Sequence, residues 1–151
     1  MHKIKEVGMN SSNLIETNLI LANLNWENFK RANLIGADLK GANLKEYYFE
    51  GANLREANLE GANLEGAQLT GARLIGAYLR AANLESANLE GANLLWAYLK
   101  GANLERANLE GARNLSFDQL SKVKTLNNTK LDEQLFISLK EKYPALFEEP
   151  N

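Results

Sequence analysis

Residues 51–80 read GANLREANLEGANLEGAQLTGARLIGAYLR, six consecutive five-residue units that each place an alanine two positions before a leucine. Outward from this stretch the same frame runs from Leu14 to Leu109. A large apolar residue stands at every fifth position, eighteen leucines with Phe29 and Phe49, which makes twenty units in tandem. Alanine occupies the position two before this centre in sixteen of them, the others being Ser12, Thr17, Glu27 and Tyr47. A step of five turns about 500° on an α-helix, so the leucines would scatter around its surface instead of forming a stripe.

Residues two apart share one face of extended chain, so the Ala and Leu of each unit can both point inward while the residue between them points out. Each unit is then expected to be a very short strand. The intervening residue is Asn in fourteen units, and the position two after the centre is Gly in ten, among them Gly36, Gly61 and Gly101. Asn and Gly both accept turn conformations, which places a corner in every unit. Right-angled corners would close a coil in four units, or twenty residues. The sequence supports that number independently: RLIGAYLR (73–80) realigns with NLLWAYLK (93–100), and NLESANLEGA (83–92) with NLERANLEGA (103–112). Phe29 and Phe49, also twenty apart, are expected to stack on the same inner face.

Units such as GANLE, GADLK and GANLR resemble the A-(D/N)-L-x-x pattern of pentapeptide-repeat proteins, over about residues 12–113. The resemblance implies a right-handed, square-sectioned coil. The expected fold is therefore an all-β solenoid, a right-handed quadrilateral β-helix of about five coils with a short α-helical C-terminal cap. Residues 1–11 are read as a lead-in, with Val7 and Met9 in the repeat frame; 12–113 as the β-helix; and 114–151 as the cap, which resembles the helical extension of cyanobacterial members. Five coils about 4.8 Å apart give a rod roughly 24 Å long.

A solenoid end exposes unpaired edges and inner leucines, and the C-terminal segment has the features of a cover for one. The frame breaks at Arg113-Asn114. Ser116-Phe117-Asp118-Gln119 reads as a capping box opening a helix to about Lys124, with Leu120 and Val123 inward. Thr129-Lys130-Leu131 reads as one more inward-outward-inward strand. A second helix from about Asp132 to Tyr143 carries Leu135 and Leu139 on one face and stops at Pro144.

Composition narrows the function classes. Seventeen basic and nineteen acidic residues give a net charge of −2, so nothing in the charge favours direct nucleic-acid binding. There is no cysteine and a single histidine, His2, so thiolate metal sites and Ser/His or Cys/His pairs in the repeats are excluded. No P-loop or dinucleotide motif occurs, so neither an enzyme, a cofactor nor a metal is expected. The opening residues lack a hydrophobic signal core and no long apolar run follows, from which a cytoplasmic, membrane-free location is expected.

With the interior filled, function falls to the outward positions. On the twenty-residue wrap Ile75 aligns with Leu95, Tyr78 with Tyr98 and Gly76 with Trp96, and with Ile15 and Ile35 they form an apolar edge broken by Arg55. This edge reads either as a docking or self-association surface or as the seat of the C-terminal helices folding back. Glu65, Glu85 and Glu105 form one column and Glu50, Glu90 and Glu110 another; a cation site or acidic strip is conceivable, solvated carboxylates the plainer reading. Asn23, Asn43, Asn63, Asn83 and Asn103 form an unbroken column whose amides can bond from coil to coil. Glu27 and Tyr47 depart from the small inward residue, and the departure reads either as a local bulge that turns Glu27 outward or as a small polar site of Trp26, Glu27, Tyr47 and Tyr48.

The function expected from these residues is a non-catalytic protein-interaction or scaffold module, monomeric or dimeric, with an unidentified protein partner or self-association. The alternative, implied by the resemblance, is a DNA-mimicking inhibitor of DNA gyrase or another DNA-binding protein. This chain is shorter than such members, nearly neutral, and has no loop inserted among its units. An ice-binding surface would need outward threonine ladders, and only Thr70 stands at an outward repeat position.

Overall fold

Alternation inside each unit dictates the architecture seen in a computed structural model, which describes residues 29–151. The middle residue of each unit pairs in parallel with the one twenty positions on: Asn33 with Asn53, Asp38 with Asn58, Asn43 with Asn63, Tyr48 with Gln68, and so on to Asn93 with Arg113. Four such columns rise side by side, one for each unit of the coil. The pairings are isolated one-residue bridges, and among the described residues none extends into a strand. The expected short strands are thus corrected to single bridged positions. The reason is the corner density, since a turn every five residues leaves only the middle residue in ladder geometry.

Those corners are left-handed without exception from Arg31 to Arg106 and Gly111. The residue two after each centre has positive φ, whether it is glycine or one of Arg31, Glu46, Glu56, Ala81, Ser86, Trp96 and Arg106. Glycine enters this region freely, whereas for any other L-residue it costs about 1–2 kcal/mol. Each corner is closed by a bond from the next residue's N–H back to the centre's carbonyl, from alanine as in Ala62 to Leu59 at 3.0 Å, or from Tyr47 to Leu44 at 3.2 Å. The outward asparagine reinforces it. The N–H of Glu65 donates to Asn63 Oδ1 at 3.2 Å, and that of Glu105 to Asn103 Oδ1 at 3.0 Å.

Alanines and leucines of the frame fill the interior, with Leu54, Leu64, Leu74 and Leu84 wholly buried. Phe29 and Phe49 stack inside with ring centroids 5.3 Å apart and planes 8° from parallel, as their spacing predicts. Tyr47 is half-buried and joins them, its ring 6.2 Å from Phe29 and 6.3 Å from Phe49. The bridge from Tyr48 to Gln68 keeps the twenty-residue register beside it. Trp26 and Glu27 lie outside the described residues, as do Ile15 and Asn23.

After Arg113 the wrap lengthens. Asn103 bridges Thr125 and Asn108 bridges Lys130, two residues beyond the regular shift, because a helical turn has been inserted. That insertion is α1 (Phe117–Ser121), opened by the expected capping box: Gln119 N–H donates to Ser116 Oγ at 3.1 Å, and Ser116 N–H to Gln119 Oε1 at 2.8 Å. It ends earlier than expected, since Lys122–Thr125 return to the coil: Gly101 N–H donates to the Lys122 carbonyl, and Lys124 N–H to that of Ala102, both at 2.9 Å. Leu120 and Val123 are buried. Lys130 takes the outward place between buried Thr129 and half-buried Leu131. Helix α2 (Glu133–Lys142) follows, with Leu139 buried and Leu135 partly so, and Pro144 opens a 3₁₀ turn over Pro144–Phe147.

Candidate functional site

Residues 95–100 and those beneath them, 75–80, carry three exposed aromatic residues, Tyr78, Trp96 and Tyr98. As middle residues of bridged units, Tyr78 and Tyr98 must point outward, and their rings stack 5.0 Å apart and within 5° of parallel. They remain 42% and 43% exposed. The guanidinium of Arg80 lies 5.4 Å from the Tyr98 ring centre. Ile75 and Leu95, one residue past their centres, are half-buried at the preceding corner. Trp96 completes it and is 72% exposed. Its φ is +57°, where the unit below has Gly76. A bulky aromatic residue is therefore held at a corner that favours glycine, with its ring in solvent.

Ile75, Leu95 and Trp96 thus stand at a corner and Tyr78 and Tyr98 at the bridged positions that follow it, and Leu95, Trp96 and Tyr98 line a groove together with Asp118 and Gln119 of α1. Gln119 makes the junction: its Nε2 donates to the carbonyls of Leu94 at 2.8 Å and Ala97 at 2.9 Å. A groove of about 980 Å³ lies between α1 and this side of the coil. Its basic residues are Arg80, Lys100 and Lys122, and its one acidic residue is Asp118, paired with Lys122 at 2.7 Å. The groove is absent from any reading of the repeat itself, because it arises where α1 displaces a side of the coil. The break at Asn114 marks where to look for it.

The acidic columns are partly neutralised. Lys45 pairs with Glu65 at 3.1 Å, and Arg106 with Glu85 at 3.0 Å and Glu105 at 3.1 Å. The hydrogen bond and charge of Glu65 hold the pKa of Lys45 above the ordinary lysine value. In the other column Glu50 lies 3.7 Å from Lys30 Nζ. No cluster of three or more potential metal ligands occurs among the described residues. The asparagine column is hydrogen-bonded as its spacing predicts: Asn63 Nδ2 donates to Asn43 Oδ1 at 3.4 Å, Asn83 to Asn63 at 3.3 Å, and Asn103 to Asn83 at 3.0 Å. Tyr48 stands 45% exposed, with Lys30 Nζ 5.4 Å from its ring centre. Among the described residues no helix is long and apolar enough to cross a membrane.

Known proteins resemble this geometry and its repeat. Among curated proteins none matches the chain. Of solved structures, alr5209, a pentapeptide repeat protein from Nostoc PCC 7120, is 35% identical over 70% of this chain and 84% of its own, with a TM-score of 0.52. Rfr23, a pentapeptide repeat protein from the cyanobacterium Cyanothece 51142, is 38% identical over 80% of this chain, with a TM-score of 0.42, and the match spans 64% of its length. QnrB1, a plasmid-mediated fluoroquinolone resistance protein, is 20% identical over 86% of this chain and 65% of its own, with a TM-score of 0.57, a likeness of fold alone. The family model for pentapeptide repeats (8 copies) matches three stretches of the chain, residues 9–46, 48–85 and 77–113. With its five-residue frame matched over most of its length, the chain belongs to the pentapeptide-repeat family.

Proposed function

We propose that this chain is a non-catalytic protein-interaction module that docks a partner on the edge formed by Ile75, Tyr78, Leu95, Trp96 and Tyr98. One observation carries the reading: Trp96 is 72% exposed while its backbone sits at φ +57°. Glycine there would relieve about 1–2 kcal/mol of strain and remove an exposed apolar ring. A residue that costs the fold on both counts has its use outside it, and tryptophan is among the residues that dominate binding energy at interfaces. In this reading residues 12–113 form a right-handed quadrilateral β-helix, residues 114–151 its cap, and the protein works in the cytoplasm as a monomer or dimer without a cofactor. Capture from the source cell tests it, with wild type beside a Leu95→Glu/Trp96→Glu variant. One specific protein retained by wild type and lost by the variant supports the reading; identical captured sets reject it.

A second reading, DNA-mimicking inhibition of gyrase, draws on the columns of Glu65, Glu85 and Glu105 and of Glu90 and Glu110. Lys45 and Arg106 offset the first column, which weakens the mimicry. Inhibition of gyrase supercoiling by the purified chain would restore it.

A further inference from the structure

In the lower coils, two amides of each side point toward the coil above. Leu39, Leu59 and Leu79 donate to the carbonyls of Asn58, Tyr78 and Tyr98 at 2.8, 2.8 and 2.9 Å. The corner residues Gly36, Glu56 and Gly76 do the same to Arg55, Ile75 and Leu95 at 2.9, 2.9 and 2.8 Å. Leu99 and Trp96 occupy the next positions in these two columns, and among the described residues their N–H groups have no hydrogen-bond acceptor. The chain has left the coil above them to form α1. Gln119 covers the carbonyls of Leu94 and Ala97, so the acceptors on this side are satisfied while the donors are open.

A buried backbone donor left unpaired is costly, and Leu99 is only 3% exposed. Both donors belong to residues lining the groove beside α1. Cations exceed carboxylates there: Lys122 is neutralised by Asp118 and Arg80 lies against Tyr98, but Lys100 is exposed and has no ion pair among the described residues. Open strand-edge donors, a free ammonium group and an exposed indole set the chemistry of an occupant.

Resting on the interaction reading above, we propose that this groove takes an extended segment of a partner protein carrying an acidic side chain next to apolar ones. Its main-chain carbonyls accept from the N–H groups of Leu99 and Trp96, adding the ladder that α1 displaced. Its carboxylate lies beside Lys100, and its apolar side chains lie on Trp96 and Tyr98.

The test is an amide-resolved NMR titration of the full ¹⁵N-labelled chain with three synthetic peptides, acetyl-VEVEV-amide and its Gln and Lys counterparts. The expected result is saturable shifts at Trp96, Leu99 and Lys100, with the Glu peptide binding about tenfold tighter than the Gln peptide and the Lys peptide weakest. Lys100→Gln should remove the Glu-over-Gln preference and leave the spectrum elsewhere unchanged. No saturable shift at these amides with millimolar Glu peptide, or equal affinity for the Glu and Lys peptides, overturns the proposal. Should that failure accompany Trp96-dependent capture from the cell, the groove assignment falls and the docking edge stands. Binding of the Glu peptide without Trp96-dependent capture keeps the groove and removes the docking edge.

Discussion

Gln119 Nε2 donates to the carbonyl of Ala97 at 2.9 Å, in the place where the backbone N–H of an overlying coil would donate. In the coil below, Tyr98 N–H fills that role for Ala77, also at 2.9 Å. A side chain thus ends the ladder on this side, while its Oε1 accepts from Ser116 N–H and closes the capping box. Replacing Gln119 by Leu keeps the shape and removes all three bonds. The Ala97 carbonyl and the Ser116 amide then lose their partners, while the Leu94 carbonyl keeps the N–H of Ala97, and the expected loss is about 1–3 kcal/mol in urea denaturation. Ser116→Ala, which removes only the cap acceptor, should cost about 1 kcal/mol. Equal stability of wild type and Gln119→Leu would show that water serves these groups as well.

The left-handed corners predict substitutions of opposite sign. Gly61 has φ +65° and open space where a Cβ would stand, so Gly61→Ala isolates backbone strain and should destabilise by about 1 kcal/mol. Ala81, at φ +54°, should gain roughly 0.5–1 kcal/mol on change to Gly. Thermal melts of the pair check this, and a stabilised Gly61→Ala would refute the corner assignment.

Leu64 lies in the middle of the buried column and is wholly inaccessible. Leu64→Ala should cost about 2–5 kcal/mol, because stacked layers cannot collapse into the hole. Glu90→Ala, on the exterior, should stay within about 0.5 kcal/mol. Chemical denaturation of the two variants checks the contrast, and a Leu64→Ala midpoint equal to that of Glu90→Ala would contradict a packed interior.

Asn83 links three groups: it accepts from Asn103 Nδ2 at 3.0 Å and Glu85 N–H at 3.2 Å, and donates to Asn63 at 3.3 Å. Asn83→Ala should lower stability by about 1 kcal/mol, an effect absent for Arg73→Ala in an outward place without such a ladder. Comparable midpoints for the two variants would make the asparagine column ornamental.

The coil was legible because its two rules are written residue by residue. Alanine and leucine two apart mark the interior, and the match of 73–80 with 93–100 marks the number of sides. The positive φ of Arg31, Glu46, Glu56, Ala81, Ser86, Trp96 and Arg106 was legible only through position, since none of these residue types favours that region and the frame imposes it. The capping box was readable at Ser116 and Gln119, but not the second use of Gln119, which depends on the coil side that happens to lie beneath it. The open amides of Trp96 and Leu99 follow from the same placement. For Ile75, Tyr78, Leu95, Trp96 and Tyr98, alignment at twenty residues was enough to bring them together on paper.

Everything rests on residues twenty apart being neighbours and residues ten apart lying on opposite sides. The chain has no cysteine, so paired substitutions report on this directly. Asn63→Cys/Asn83→Cys joins bridged positions, about one coil spacing apart and within reach of a disulfide, whereas Asn63→Cys/Arg73→Cys places the thiols across the core. Under mild oxidation the first pair should cross-link within the monomer and the second should not. A second pair that closes as readily as the first would contradict the twenty-residue coil and every surface assigned on it.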